Sequence, residues 1–180
     1  MKILAFAASS STKSINKALV TYTGQLFEKK YENVEVEVID INDYEMPLFS
    51  TDKEEELGHP KQAHDFIKKI KNSDGLIISF AEHNGSYTAA YKNLFDWASR
   101  IDVKVFQNKP SLFLSTSTGQ GGAGSVLKAA ENSAPFFGAD LKAVLSIPSF
   151  RDNFDQESKH LTNTSLKQGL LDALDKLYIK

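Results

Sequence analysis

The sequence contains no cysteine, which excludes disulfides, thiolate catalysis and cysteine-ligated metal or iron–sulfur sites. No apolar run approaches the ~20 residues that a membrane-spanning helix needs. Neither sign of charge dominates, because 21 Lys and Arg residues stand against 23 Asp and Glu residues, a formal net charge of −2. This balance disfavours a nucleic-acid-binding protein, which usually carries a basic excess. The N-terminal apolar run does not resemble a signal peptide with its cleavage site, so we expect a cytoplasmic protein.

What the sequence does contain is an alternation of apolar runs and amphipathic segments within 180 residues, a length that suits one domain. Nearly continuous apolar runs predict buried strands over 2–8, 76–81, 111–115 and 141–147, and alternation predicts a strand with one wetter face over 34–41. Helical spacing of apolar residues follows each strand, while 42–59 and 148–164 are interpreted as long connections. Five strands alternating with five helices predict an α/β protein, a flavodoxin-like doubly wound parallel sheet of order 2-1-3-4-5 with helices on both faces. We expect a single domain over residues 1–180.

A hydroxyl-rich turn, Ser9–Asn16, connects the first strand to the first helix and reads S-S-S-T-K-S-I-N. Ser14 is the expected N-cap of that helix. A helix N-terminus presents unpaired N–H groups and the positive end of a dipole, so the turn suits a phosphate. The same residue types also favour turns and helix caps without any ligand. Taken alone, the turn is explained by either interpretation.

Two further polar loops follow the third and fourth strands, Glu82–Ser86 and Thr116–Gly124. In the order 2-1-3-4-5 these loops meet the hydroxyl-rich turn where the strand order reverses, which is where such sheets bind ligands. The turn has no G-x-G-x-x-G sequence and the chain has no Walker A sequence, which disfavours a clamped dinucleotide and nucleotide hydrolysis. We therefore expect one terminal phosphate of a mononucleotide, with the glycines of the other loops admitting a flat ring.

Four segments together carry a resemblance to a known family. Residues 8–19 read A-S-S-S-T-K-S-I-N-K-A-L and resemble the G-S-x-R-x-x-S-x-N-x-x-L start of the NADPH-dependent FMN reductase family. Residues 81–86 are similar to its P-E-Y-N-G-S loop and residues 92–97 to its K-N-A-I-D-W helix. Ser115-Thr116-Ser117 together with Gly121-Gly122 resembles its S-T-S-x-G-x-x-G-G segment. Because the matches occur in the same order over nearly the whole chain, the sequence is identified as a member of this family.

The resemblance implies a homodimer, or a homotetramer, that holds FMN and takes electrons from NADPH or NADH. The implied acceptor is a small molecule such as a quinone, an azo or nitro compound, a metal oxyanion or free flavin, with no nucleic acid, membrane or metal involved. The implied FMN-binding residues are Ser9, Ser11, Ser14, Ile15 and Asn16 at the phosphate, joined by Lys13, and Glu82, His83, Asn84, Gly85, Ser117, Gly121 and Gly122 around the ring and ribityl chain. The cofactor carries the chemistry in such enzymes, so no catalytic side chain is assigned.

Three positions depart from the family pattern. Ser11 replaces the arginine of the first loop, His83 the tyrosine beside the flavin, and Ala81 the proline before Glu82. The phosphate thereby loses a bidentate cationic partner, for which Lys13 offers only a point charge. Two alternatives remain open on the sequence: a flavodoxin-type electron carrier that does not use NAD(P)H, and an FMN-free binding protein.

Overall fold

The computed structural model describes residues 1–178, and the last two positions of the predicted domain lie outside them. Its central sheet contains β1 (Lys2–Ala8), β2 (Glu35–Ile39), β3 (Gly75–Phe80), β6 (Pro110–Thr116) and β7 (Asp140–Ile147). All neighbours pair in parallel in the order β2-β1-β3-β6-β7, which confirms the predicted topology. Two small antiparallel hairpins lie outside this sheet: β4 (Glu82–His83) with β5 (Ser86–Tyr87), and β8 (Phe154–Asp155) with β9 (His160–Leu161).

Helices cover both faces of the sheet, as predicted. One face packs against α1 (Ile15–Lys30) and α7 (Thr164–Leu177), and the other against α3 (Lys61–Lys71), α4 (Ala89–Ile101) and α5 (Gly124–Ser133). In β1, Leu4 and Phe6 point toward α3, α4 and α5, whereas Ile3 and Ala5 point toward α1 and α7. Successive side chains of a strand point to opposite faces, so a strand covered on both sides needs an unbroken apolar run.

The connection over 42–59 is more ordered than the sequence predicts. The strand before it ends at Ile39 and not at the predicted residue 41, a 3-10 turn (Ile41–Tyr44) leads into the connection, and the connection contains a helix, α2 (Thr51–Leu57). The Ser50 side chain caps α2 by accepting a hydrogen bond from Lys53 N at 3.1 Å, and Gly58 ends the helix with φ +66°. None of the α2 residues is buried, so the sequence has no apolar stripe there from which a helix could be predicted.

The connection over 148–164 also contains short elements that the sequence does not predict. It contains a short helix, α6 (Phe150–Asn153), and the β8–β9 hairpin. Phe150 and Phe154 are buried and stack with their ring centroids 4.6 Å apart. A four-residue helix and two-residue strands are too short to produce a periodic pattern in the sequence.

The apolar cluster Met46–Phe49 is held by α4. Asn93 Oδ1 accepts a hydrogen bond from Phe49 N at 2.8 Å, and Trp97 Nε1 donates one to Pro47 O at 2.8 Å. Trp97 is fully buried, so it packs in the core. Among residues 1–178, no helix has the length and apolarity needed to cross a membrane.

Candidate active site

The hydroxyl-rich turn is ordered by its own side chains. Ser9 Oγ accepts a hydrogen bond from Ser11 N, and Ser11 Oγ accepts one from Lys13 N, each at 3.3 Å. Ser14 Oγ accepts from Lys17 N at 3.2 Å, which confirms Ser14 as the N-cap of α1. The interpretation of these residues as turn and capping residues is therefore correct. It does not decide whether the outward-facing groups of the turn also bind a ligand.

The first turn of α1 offers free donors. Within residues 1–178, the backbone N–H groups of Ile15 and Asn16 make no hydrogen bond to protein. Ser11 and Lys13 are exposed beside them. Two unpaired amides at the positive end of a helix dipole, together with a lysine, form an arrangement that favours an anion.

The side chain of Asn16 is buried and bonds within the protein. It is 3% exposed, and Oδ1 accepts hydrogen bonds from Ser79 Oγ at 2.7 Å and Thr116 N at 3.1 Å. Its Nδ2 donates to Thr116 O at 3.1 Å. These contacts join α1 to the ends of β3 and β6, so only the backbone N–H of Asn16 is left for a phosphate.

Neighbouring elements fix the hydroxyl-rich turn from both sides. Thr88 Oγ1, at the N-terminus of α4, donates to Ala8 O at 3.0 Å, and Asn42 Nδ2 donates to Ser10 O at 3.1 Å. Lys17 forms an ion pair with Asp40. Burial alone would raise the pKa of Asp40, but hydrogen bonds from Lys17 and Asn42 and the lysine charge outweigh it and hold that pKa below its ordinary value.

The second predicted loop is the β4–β5 hairpin. Asn84 and Gly85 occupy its two-residue turn with φ of 52° and 76°, the pattern of a type I′ turn that favours Asn-Gly. Glu82 Oε2 accepts a hydrogen bond from Val126 N at 2.9 Å, which places a carboxylate in the first turn of α5. Glu82 therefore fixes the hairpin against α5, whereas His83 and the turn are exposed.

In the third loop, which follows β6, Gly121 and Gly122 have different roles. Gly122 is buried with φ +57°, and a Cβ there would lie 2.1 Å from Ser146 Oγ. Its carbonyl accepts hydrogen bonds from Ser115 Oγ and Ser146 Oγ, so Gly122 serves close packing. A Cβ at Gly121 would have nothing within 4 Å, so this backbone borders open space. Ser117 lies before them, with Oγ donating to Gly119 O at 3.2 Å.

Sequence reasoning did not identify Ser79, Thr88 and Thr116 as the residues that hold these loops together. All three are buried. A usable signal existed for Ser79, a single hydroxyl inside an otherwise apolar strand, because buried polar groups nearly always have hydrogen-bond partners. The structure thus brings the three predicted loops together at the carboxyl ends of β1, β3 and β6.

A parallel sheet of this order, with three polar loops at its switch point, defines the flavodoxin-like class of proteins. A sequence profile of the family described as NADPH-dependent FMN reductase matches residues 1–149. The chain therefore belongs to the NADPH-dependent FMN reductase family.

Relatives of known name agree with this assignment. The chain is 31% identical over 125 residues to an NADPH:quinone oxidoreductase of Arabidopsis thaliana, which covers 69% of this chain and 62% of the relative. It is 30% identical over 122 residues to an NAD(P)H-dependent FMN reductase of Pseudomonas aeruginosa, covering 68% of this chain and 63% of the relative. The matched region thus spans less than two thirds of the length of these relatives.

Solved structures show the same fold. A flavoenzyme NAD(P)H:(acceptor) oxidoreductase from Paracoccus denitrificans superposes with a TM-score of 0.74 at 20% identity, covering 98% of this chain and 96% of that one. A flavodoxin from Pseudomonas aeruginosa superposes with a TM-score of 0.59 at 11% identity, covering 98% and 99%. Identities this low establish the fold and nothing about substrates.

Proposed function

We propose that the protein is an FMN-dependent oxidoreductase that passes electrons from NAD(P)H to a small acceptor of the quinone type. The observation that carries the proposal is the group of unpaired Ile15 and Asn16 N–H groups at the start of α1, beside the exposed hydroxyl of Ser11 and the ammonium of Lys13. These donors suit the terminal phosphate of FMN. When bound, FMN would supply the hydride-accepting and electron-donating chemistry.

The residues around the proposed flavin ring fall into two groups. Gly85 and Gly121 border open space, and His83, Asn84 and Ser117 are wholly or partly accessible, so these residues could line a flat ring and its ribityl chain. Glu82 and Gly122 shape the same site indirectly, because the first fixes the hairpin on α5 and the second packs on Ser146. The role of the chain is therefore to bind and orient, and we assign no proton transfer to a side chain.

A quinone-type acceptor is favoured because several relatives are named quinone oxidoreductases or quinone reductases. Azo and nitro compounds, metal oxyanions and free flavin are further candidates. A cytoplasmic location belongs to the same proposal, since the proposed donor NAD(P)H is a cytoplasmic reductant, and cell fractionation would test it.

The test is a pair of rapid-mixing measurements without oxygen. FMN-loaded protein is first mixed with NADPH or NADH, which should bleach the visible flavin absorbance, and then with a benzoquinone, which should restore it. Flavin that stays oxidised with both nicotinamides would support a flavodoxin-type carrier, and failure to bind FMN would support an FMN-free binding protein. The variant His83→Tyr should retain the rate of bleaching, because no chemical step is assigned to His83.

We also infer a homodimer, in which a second copy covers the face formed by α4 and α5. A hollow of about 210 Å³ opens there, lined by aromatic side chains that include Phe80, Tyr91 and Phe95. Phe136 beyond it is 64% exposed. Light scattering should give the mass of two chains or a multiple of two. Ala129 is exposed on the rim of the hollow, so the variant Ala129→Arg should lower the measured mass to that of one chain. A single-chain mass for the unaltered protein would refute the dimer.

A further inference from the structure

Glu82 is the one acidic residue among those proposed to surround FMN, and its side chain joins two of the three loops. It lies on the β4–β5 hairpin next to His83 and Asn84. Its Oε2 accepts a hydrogen bond at 2.9 Å from Val126 N, in the first turn of α5. Helix α5 follows directly on the loop that contains Gly121. The carboxylate is therefore fixed between the two segments proposed for the flavin ring.

No cation in the described part of the chain neutralises this carboxylate. Glu82 takes part in none of the ion pairs among residues 1–178, and its side chain is only partly exposed. The cations of the two neighbouring helices pair with other acids: Lys92 with Asp96 and Arg100 with Glu54 on α4, and Lys128 with Glu131 on α5. A partly buried charge is screened less by salt than an exposed one, so Glu82 contributes a negative potential at the ring site.

Glu82 also changes the charge at the start of α5. The positive end of a helix dipole stabilises a nearby anion, and neither α1 nor α5 has an acidic residue of its own in its first turn. At α1, the N–H groups of Ile15 and Asn16 have no protein partner within residues 1–178. At α5, the Glu82 carboxylate occupies the Val126 N–H group and cancels part of the positive charge. The start of α1 is therefore open to an anion, whereas that of α5 is already neutralised.

We propose that the Glu82 carboxylate lowers the reduction potential of bound FMN by disfavouring the negative charge of its reduced form. Two electrons and one proton, together equivalent to one hydride ion, convert FMN to a reduced flavin that carries one more negative charge. A fixed carboxylate repels that charge, and the neutralised start of α5 does not compensate for the repulsion. The reduced flavin is accordingly a stronger reductant toward its acceptor. This inference rests on the proposed FMN-dependent function and gives one side chain a role in it.

The test measures the midpoint potential of FMN bound to Glu82→Gln protein. The side-chain oxygen of glutamine can still accept the Val126 N–H bond, so the variant removes the charge and keeps the anchor. The affinity for reduced FMN relative to oxidised FMN should rise about tenfold, which raises the two-electron midpoint potential by about 30 mV. Reductive titration with dithionite against a reference dye gives this potential without a nicotinamide or a quinone. Glu82→Asp, which keeps the charge, should shift the potential less than Glu82→Gln.

Glu131→Gln is the matched control, because it removes the same charge from the far end of α5. An unchanged potential in Glu82→Gln, or an equal shift in Glu131→Gln, would overturn the proposal. A loss of affinity by the same factor for both redox forms of FMN would also overturn it, because Glu82 would then serve only as an anchor. Failure of the unaltered protein to bind FMN would refute the proposed function and this inference with it. An FMN-loaded protein whose potential ignores Glu82 would refute this inference alone.

Discussion

Replacement of Asn16 by alanine should strongly destabilise the protein. The Asn16 side chain makes three hydrogen bonds, one from Ser79 Oγ and two with the backbone of Thr116. In Asn16→Ala, the Ser79 hydroxyl and the Thr116 N–H would lose this partner while remaining at most 1% exposed. A buried donor left unpaired costs about 1–3 kcal/mol, so we expect the free energy of unfolding to fall by about 3 kcal/mol.

The assay is urea unfolding of the FMN-free protein, so that the cofactor does not contribute to stability. For a chain of this size, a loss of about 3 kcal/mol corresponds to a fall of roughly 6–12 °C in melting temperature. The double variant Asn16→Ala/Ser79→Ala should cost about 1–2 kcal/mol less than the sum of the single changes, because it also removes one orphaned donor. Asn42→Ala is the control, since it removes an exposed asparagine that donates to Ser10 O.

Two results would refute this reasoning. The first is an Asn16→Ala protein within about 0.5 kcal/mol of the unaltered chain, the range of ordinary surface changes. The second is strict additivity of the double variant, which would mean that Asn16 and Ser79 act independently. Either result would also remove the physical reason for separating the buried Asn16 side chain from the phosphate contacts.

Three further predictions concern the loops and α2. Gly122→Ala should lower stability by about 2 kcal/mol or more in thermal melts, because its Cβ would lie 2.1 Å from Ser146 Oγ at φ +57°. Gly121→Ala is the control and should be nearly neutral. Equal loss of stability in the two variants would contradict the packing role of Gly122. Ser11→Arg should tighten FMN about tenfold in fluorescence-quenching titrations by restoring a bidentate partner, and no change would argue against a phosphate there. Arg100→Gln should raise the pKa of Glu54, which the Arg100 hydrogen bond now lowers. The stability due to this pair is present above the ordinary Glu pKa of about 4.3 and is lost as pH falls through the lowered value, so the variant should melt lower at neutral pH, and its difference from the unaltered protein should shrink as the pH is lowered through the acid range.

The parts of the fold that could be predicted are the elements whose buried residues form a recognisable apolar pattern in the sequence. Doubly buried strands require unbroken apolar runs, and β1 and β3 were accordingly found with nearly their observed bounds. Helix α2 was missed because it buries no residue, and its presence depends on the Ser50 cap and the Gly58 ending.

The sequence predicts which loops form the site, but it does not predict the contacts that individual side chains make there. The strand order alone brings three loops together at the carboxyl end of the sheet: the hydroxyl-rich turn, the Asn84–Gly85 turn and the loop that contains Gly121. The role of the Asn16 side chain could not be predicted, because its partners lie 63 and 100 residues away in the chain. A sequence motif places Asn16 correctly at the start of α1 but does not say whether its side chain points toward a ligand or into the protein.

The most direct measurement compares the affinities of FMN and riboflavin, which differ only in the terminal phosphate. If the phosphate binds the Ile15 and Asn16 N–H groups with help from Lys13, at least two charge-assisted hydrogen bonds of about 1.5 kcal/mol or more each separate the two ligands. Fluorescence-quenching titration should then give a Kd for FMN about 100-fold or more below that for riboflavin. Equal affinities would show that the hydroxyl-rich turn does not bind the phosphate.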